Sequence, residues 1–178
     1  MQHHPLSSYN EALRACKLVF EQKTKDYGTS WRILRLPSIT DQIMIKAQRI
    51  RSIQEKGKQR IQDSIRTELI GIINYSIIAL IQASLSKEHS LEMPYEAVEP
   101  RYDEVVKQTM ALHDAKNHDY AEAWRGMRLS SIIDIMLMKL LRIKQIEDNR
   151  GVVLASEGVA ANYQDIINYA VFALLKQQ

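Results

Sequence analysis

Residues 23–53 of this chain are written again as residues 116–146. KTKDYGTSWRILRLPSITDQIMIKAQRIRSI returns as KNHDYAEAWRGMRLSSIIDIMLMKLLRIKQI, at a constant offset of 93 residues. The shared positions include Lys23/Lys116, Asp26/Asp119, Trp31/Trp124, Arg32/Arg125, Arg35/Arg128, Asp41/Asp134, Lys46/Lys139 and Arg49/Arg142. Most are charged or aromatic. A repeat kept only for packing would hold its apolar pattern and let surface charges drift, so the retained Asp, Arg, Lys and Trp point to a site or to a satisfied polar network. A second match, IINYSIIAL against IINYAVFAL, runs at an offset of 94, so a loop between the two blocks differs by one residue.

The duplication fixes the organisation. A chain of 178 residues is one domain by size, here built from a first repeat over 6–86, a linker over 87–100 containing Pro94 and Pro100, and a second repeat over 101–178. Long stretches follow a 3.6-residue period, Gly is scarce and no sustained alternation of period two occurs, which predicts an all-α protein. Ser8 followed by Glu11 reads as a capping box opening a first helix to about Glu21, with a counterpart beginning near Tyr102. Ser38 and Ser131 read as openings of the second helices, each with an Asp three residues on. Ile39, Ile43, Ala47, Ile50 and Ile53 match Ile132, Met136, Leu140, Ile143 and Ile146, one apolar stripe in each second helix. The third helices, about Arg60–Leu85 and Glu157–Lys176, are apolar nearly all round and need company on every side. Three helices per repeat give a six-helix bundle, its halves expected to be related by a pseudo-two-fold.

Composition excludes several classes. At 46% hydrophobic and 25% charged residues the chain reads as globular. Its net charge of +3 is too small to argue nucleic-acid binding from bulk electrostatics, although the repeated loops are locally basic. Cys16, the one cysteine, leaves no internal disulfide and no multi-cysteine metal site, in keeping with a reducing compartment. The first ten residues lack a basic stretch followed by an apolar run, so a cytoplasmic location is expected. Eighteen uncharged residues separate Glu68 from Lys87, the lower limit for a membrane span. Asn74, Tyr75, Ser76 and Gln82 interrupt them, so a buried central helix is expected and no membrane partner. His3, His4, His89, His113 and His118 show no zinc spacing, and no Gly-rich phosphate loop, nucleophile elbow or HExxH is present.

The candidate site residues carry alternatives. Asp41 and Asp134 read as capping carboxylates or as metal ligands. Lys46 and Lys139 project within the apolar arc of their own helices, where an ammonium must snorkel out, meet a buried carboxylate or bind a ligand phosphate. Arg49 and Arg142 lie one turn further on at the stripe's edge. In the loops, Lys23, Arg32 and Arg35, matched by Lys116, Arg125 and Arg128, stand beside Trp31 and Trp124. Phosphate grip plus base stacking is one reading; core tryptophans with loops pinned by Arg–Asp pairs to Asp26 and Asp119 is the other. Glu68, Asn74 and Tyr75 break the first of the apolar third helices, and Glu68 aligns with Asn162 while Asp165 aligns with Gly71. Each half thus keeps one carboxylate of a composite strip at helical spacing. That asymmetry predicts one site shared unequally, at the junction of the halves.

With KDYGTSWR…RLPSITD, KNHDYAEAWR…RLSSIID and the two INY helices, the chain resembles the family called nucleotide modification associated domain, type 1, over both repeats and nearly the whole sequence. The resemblance implies a link to nucleotide or modified-base metabolism. More distantly the chain is similar to the all-α MazG-like and dimeric dUTPase nucleoside triphosphate pyrophosphatases. In those enzymes an ExxE and a later ExxD hold magnesium over a triphosphate. Glu68 and Asp165 match the two ExxD positions, in different halves; no ExxE precedes Glu68, and Asp41 and Asp134 are the nearest substitutes. The function expected is therefore nucleotide binding, with magnesium on Asp41, Glu68, Asp134 and Asp165, phosphates on the repeated Lys and Arg residues, and (d)NTP pyrophosphate hydrolysis as the activity of such a site. The alternative is a non-catalytic helical module for nucleic acid or a protein partner, a second copy of the chain included.

Overall fold

The structure, a computed structural model, describes residues 8–57, 64–120, 122–154 and 157–177. Among them are six α-helices, two short 3₁₀ turns and no strand. In the first half α1 (Tyr9–Tyr27) leads through the turn Ser30–Ile33 to α2 (Leu36–Lys56) and α3 (Ile65–Ser84). The second half repeats the order with α4 (Tyr95–Tyr120), the turn Ala123–Gly126, α5 (Leu129–Asp148) and α6 (Val159–Lys176).

Local chemistry sets the ends of several helices. Ser8 Oγ accepts from the Glu11 N–H at 3.3 Å and caps α1. Gly57, at φ 62° and ψ 11°, takes the left-handed conformation that ends α2, and its N–H donates to the Ile53 carbonyl. Ser64 caps α3 by accepting from Thr67 N–H; the expected start of that helix at Arg60 lies outside the described residues. Helix α1 runs six residues past Glu21, so Asp26 and Tyr27 belong to it and not to the loop. The second helices open earlier than expected. Arg35 and Arg128 occupy the N-cap positions without a side-chain cap, Pro37 sits in the first turn of α2, and Ser38 and Ser131 are already helical. Helix α4 begins at Tyr95, so Pro100 lies inside it and not in the linker. Glu157 precedes Gly158, the N-cap of α6, and is not in the first turn.

The stripes bury as expected. Ile39, Ile43, Ala47 and Ile50 of α2, and Ile132, Met136, Leu140 and Ile143 of α5, are fully buried. Each large side chain among them contributes about 1.5–3 kcal/mol through its removal from water. Helices α2, α3, α6 and α5 close a ring of four, each packed on the next, and α1 and α4 lie against α3 and α6. Helix α3, long and apolar enough to cross a membrane, is here a core helix touching α1, α2, α4 and α6.

The halves meet through exchanged contacts. Asp41 of α2 accepts from Lys144 of α5 at 2.5 Å. Asp134, the match of Asp41, faces Arg51, the match of Lys144, at 3.6 Å. Likewise Tyr102 donates to Asn74 Oδ1 at 2.8 Å, and Tyr9 donates to Asn168 Oδ1. In both cases a position in one half meets its partner position in the other, and the reverse. A two-fold relation between subunits imposes this kind of exchange.

Candidate functional site

Each half holds one buried carboxylate with two cations on it. In the second half Asp165, on α6, accepts from Lys116 of α4 at 2.6 Å and from Lys139 of α5 at 2.5 Å. Burial alone would raise the Asp165 carboxyl, but the two ammonium hydrogen bonds outweigh it and hold the group below its ordinary range. In the first half Glu68, on α3, accepts from Lys46 at 3.4 Å and from Arg49. The two stripe lysines therefore meet buried carboxylates, one of the outcomes their position allowed.

The carboxylates stand one helical turn apart in the aligned halves, and this moves the lysine. Gly71 occupies the position of Asp165, and the Lys46 side chain lies across it. A Cβ added at Gly71 would meet Lys46 Cε at 3.0 Å, Cδ at 3.1 Å and Nζ at 3.2 Å. Lys46 thus reaches back along α3 to Glu68. Lys23, the match of Lys116, has lost its carboxylate; it is exposed and makes no hydrogen bond or ion pair among the described residues.

Two clefts result, one within each half, at matched positions between the first helix, the 3₁₀ turn and the third helix. The second-half cleft, about 370 Å³, is lined by Lys116, Lys139, Asp165, Asn117, Asn168 and His113, with Trp124, Tyr169 and Phe172 as its apolar wall. The first-half cleft, about 600 Å³, is lined by Phe20, Thr24, Trp31, Leu34, Gly71 and Ile78, with Lys23, Asn74 and Tyr75. Corresponding pairs tell the difference: His113 against Phe20, Asn117 against Thr24, Asp165 against Gly71. Lys139 lines its cleft, whereas Lys46 does not line the other. The expected shared site at the junction is replaced by two separate clefts of unlike chemistry.

Hydrogen bonding separates them further. Asn74 has both amide atoms engaged, Oδ1 by Tyr102 and Nδ2 by the Cys16 carbonyl at 3.0 Å. In Asn168 only Oδ1 is engaged among the described residues, by Tyr9. Asn117 Oδ1 accepts from Glu122 N–H at 2.9 Å, and its Nδ2 likewise has no partner among the described residues. The indole Nε1 of Trp124 and that of Trp31 are buried with no partner among the described residues.

The tryptophans are wall residues, each 8% exposed. Phe172 stacks on Trp124 at 4.7 Å and 2° between planes, and the Arg125 guanidinium lies 4.6 Å from the same ring. The Trp124 ring is thus already packed against one aromatic ring and one guanidinium.

Several predicted site residues hold the fold instead. Arg32, 8% exposed, donates to Gln82 Oε1 and to the carbonyls of Ser86, His89 and Ser90, while Gln82 Nε2 returns bonds to the Arg32 and Leu34 carbonyls. Its guanidinium pins the connection after α3 and has no fork left for phosphate. Arg125 is held by Glu122 at 2.5 Å, not by Asp119. Arg35, Arg128 and Arg142 are exposed and line neither cleft.

Asp41 and Asp134 neither cap α2 and α5 nor join the other carboxylates, because their partners are Lys144 and Arg51 across the halves. The magnesium set of Asp41, Glu68, Asp134 and Asp165 is therefore not assembled. No three His, Cys, Asp or Glu among the described residues come together. Each of the two buried carboxylates is already neutralised by cations, so the donor set does not fit a resident divalent metal. The identities between repeats drew attention to these residues. His113, Asn117 and Phe172, which sequence reasoning missed, sit where the repeats differ, and the mismatch itself was the signal.

Fold and clefts together define a duplicated all-α protein with clefts at matched positions in its two halves. The chain belongs to the family of nucleotide modification associated domain 1, whose profile matches residues 23–83 and 116–177. No curated protein and no solved structure matches the chain.

Proposed function

We propose that the protein binds a nucleotide in the second-half cleft, with its phosphate on Lys116 and Lys139. The observation that carries this reading is a surplus of donors. Two ammonium groups and the amide N–H groups of Asn117 and Asn168 line the cleft with two carboxylates that are both already engaged, Asp165 by the two lysines and Glu122 by Arg125. An anion supplies the missing acceptors. The rings of Tyr169, Phe172 and His113 offer the apolar surface a base needs. A volume near 370 Å³ lies at the small end of ligand pockets, which suits a monophosphate better than an extended triphosphate. Family membership points the same way, toward nucleotide chemistry. Binding is proposed without magnesium-assisted hydrolysis, since the carboxylates such a step requires stand apart.

Isothermal titration with nucleoside mono- and triphosphates tests the reading. Lys139→Met and Lys116→Met should each weaken binding about ten-fold, the effect of roughly 1.4 kcal/mol. Affinity unchanged in both variants would overturn the site. Magnesium-dependent pyrophosphate release from a triphosphate would replace binding with the hydrolytic function.

A further inference from the structure

The first-half cleft has the outline of the second and the opposite chemistry, and we propose that it binds a small apolar monoanion. The body of such a ligand, an aryl or alkyl group, fills the pocket, and its carboxylate or sulfonate head meets Lys23. The argument starts from what the lining lacks. Positions that carry His113, Asn117 and Asp165 in the second half carry Phe20, Thr24 and Gly71 here. Of its other polar groups, Thr24 Oγ1 donates to the Phe20 carbonyl at 2.8 Å and both amide atoms of Asn74 are engaged, which leaves only neutral hydroxyls, those of Tyr27, Ser30 and Tyr75, beside the lysine. Lys46 is drawn out toward Glu68 and lies over Gly71. What stays is an apolar chamber of about 600 Å³ whose charged lining group is Lys23 and whose wall holds an unpaired indole N–H among the described residues.

Those donors define the head group. Lys23 lines the cleft as an exposed ammonium without a partner among the described residues. Trp31, more than nine-tenths buried, keeps its indole N–H unpaired in the wall. One unpaired lysine is answered by one negative charge, and the engaged amide of Asn74 offers nothing to read the polar edge of a base. The apolar lining also continues to the surface, for Tyr27 and Ile33 are 70% and 73% exposed. A purely aqueous cleft gains nothing from those two side chains, whereas a hydrophobic ligand entering past them removes their surface from water.

The probe is 1-anilinonaphthalene-8-sulfonate, a monoanion with an apolar body, followed by fluorescence against the full chain. Saturable binding of one probe per chain is expected, displaced by octanoate and not by adenosine monophosphate. Lys23→Gln, a change at an exposed side chain, should weaken the probe about ten-fold. Gly71→Asp puts back the second-half carboxylate against a flexible lysine end and should abolish probe binding while the helical circular dichroism is kept. Lys139→Met should leave the probe unaffected, which separates this site from the nucleotide site. Probe binding indifferent to Lys23→Gln, displacement by adenosine monophosphate alone, or binding without saturation would each overturn the proposal. If Gly71→Asp fails to fold, the Lys23→Gln titration decides.

Discussion

Replacing Asp165 by Asn removes the charge on which two lysines converge, and the cost follows from how each lysine can respond. The Lys116 side chain is 45% exposed and can swing into water. Lys139 is 14% exposed and Asp165 itself 8%, so Lys139 is left as a nearly buried charge beside a neutral amide. Breaking a fully buried pair in this way costs about 3–5 kcal/mol. Partial exposure of the Lys116 arm lowers the expectation to about 3 kcal/mol, which in a chain of this length lowers the melting temperature by about 6–12 °C. Thermal unfolding followed by circular dichroism at pH 7 measures it. Adding Lys139→Met to Asp165→Asn removes the stranded charge and should restore at least half of the loss, a coupling expected only of groups in contact. The pH dependence has a definite sign. Because the Asp165 carboxyl is held below its ordinary range in the folded protein, its contribution is fully present above the unfolded value of about 3.9 and is lost as pH falls through the folded value. The gap between wild type and Asp165→Asn should stay constant down to about pH 5 and close in stronger acid. An Asp165→Asn protein melting within about 2 °C of wild type, with no rescue by Lys139→Met, would refute the view that this carboxylate is the counter-ion of both lysines.

Three other outcomes follow from the structure. Cys16 is fully buried and burial pushes its thiol up to about 12, so a thiol reagent at pH 8 should label it only in denaturant; rapid labelling of the folded chain would contradict its placement. Arg32→Lys should destabilise by about 2 kcal/mol and sensitise the connection after α3 to proteolysis, because lysine cannot reproduce the guanidinium contacts to Gln82 and three carbonyls; equal stability and protease resistance would exclude that pinning role. Asp41→Lys should weaken the contact between halves, and Lys144→Asp in the same chain should recover the loss; additive losses in the double variant would show that the two residues do not interact.

The repeat made the helices legible because it doubled every local signal. Ser8 announced α1, and the stripes of Ile39–Ile50 and Ile132–Ile143 announced the buried faces of α2 and α5. Boundaries were less visible, since Pro100 is tolerated inside α4 and α2 begins at Leu36 with its cap position filled by Arg35. The charged identities misled for a physical reason. Asp41 meets Lys144 across 103 residues of sequence, and a long-range ion pair leaves no local pattern. Local spacing suggested a cap or a metal ligand because those are the roles that spacing can express. Arg32 likewise turns inward on carbonyls that no side-chain pattern records. Glu68 and Asp165 were recognisable as an unequal pair, yet their consequence lay in Lys46, whose course over Gly71 depends on packing between α2 and α3.

The exchanged contacts of Asp41 with Lys144 and of Asp134 with Arg51 bear on how such a molecule can change over generations. Were the halves separate copies of one gene product, any substitution in a cleft would appear in both at once. Joined in a single chain, position 71 can be glycine while position 165 is aspartate. The shared interface residues are constrained twice, each by its partner in the other half, while the clefts are constrained once each. Covalent linkage thus lets the two clefts of a duplicated chain be inherited independently.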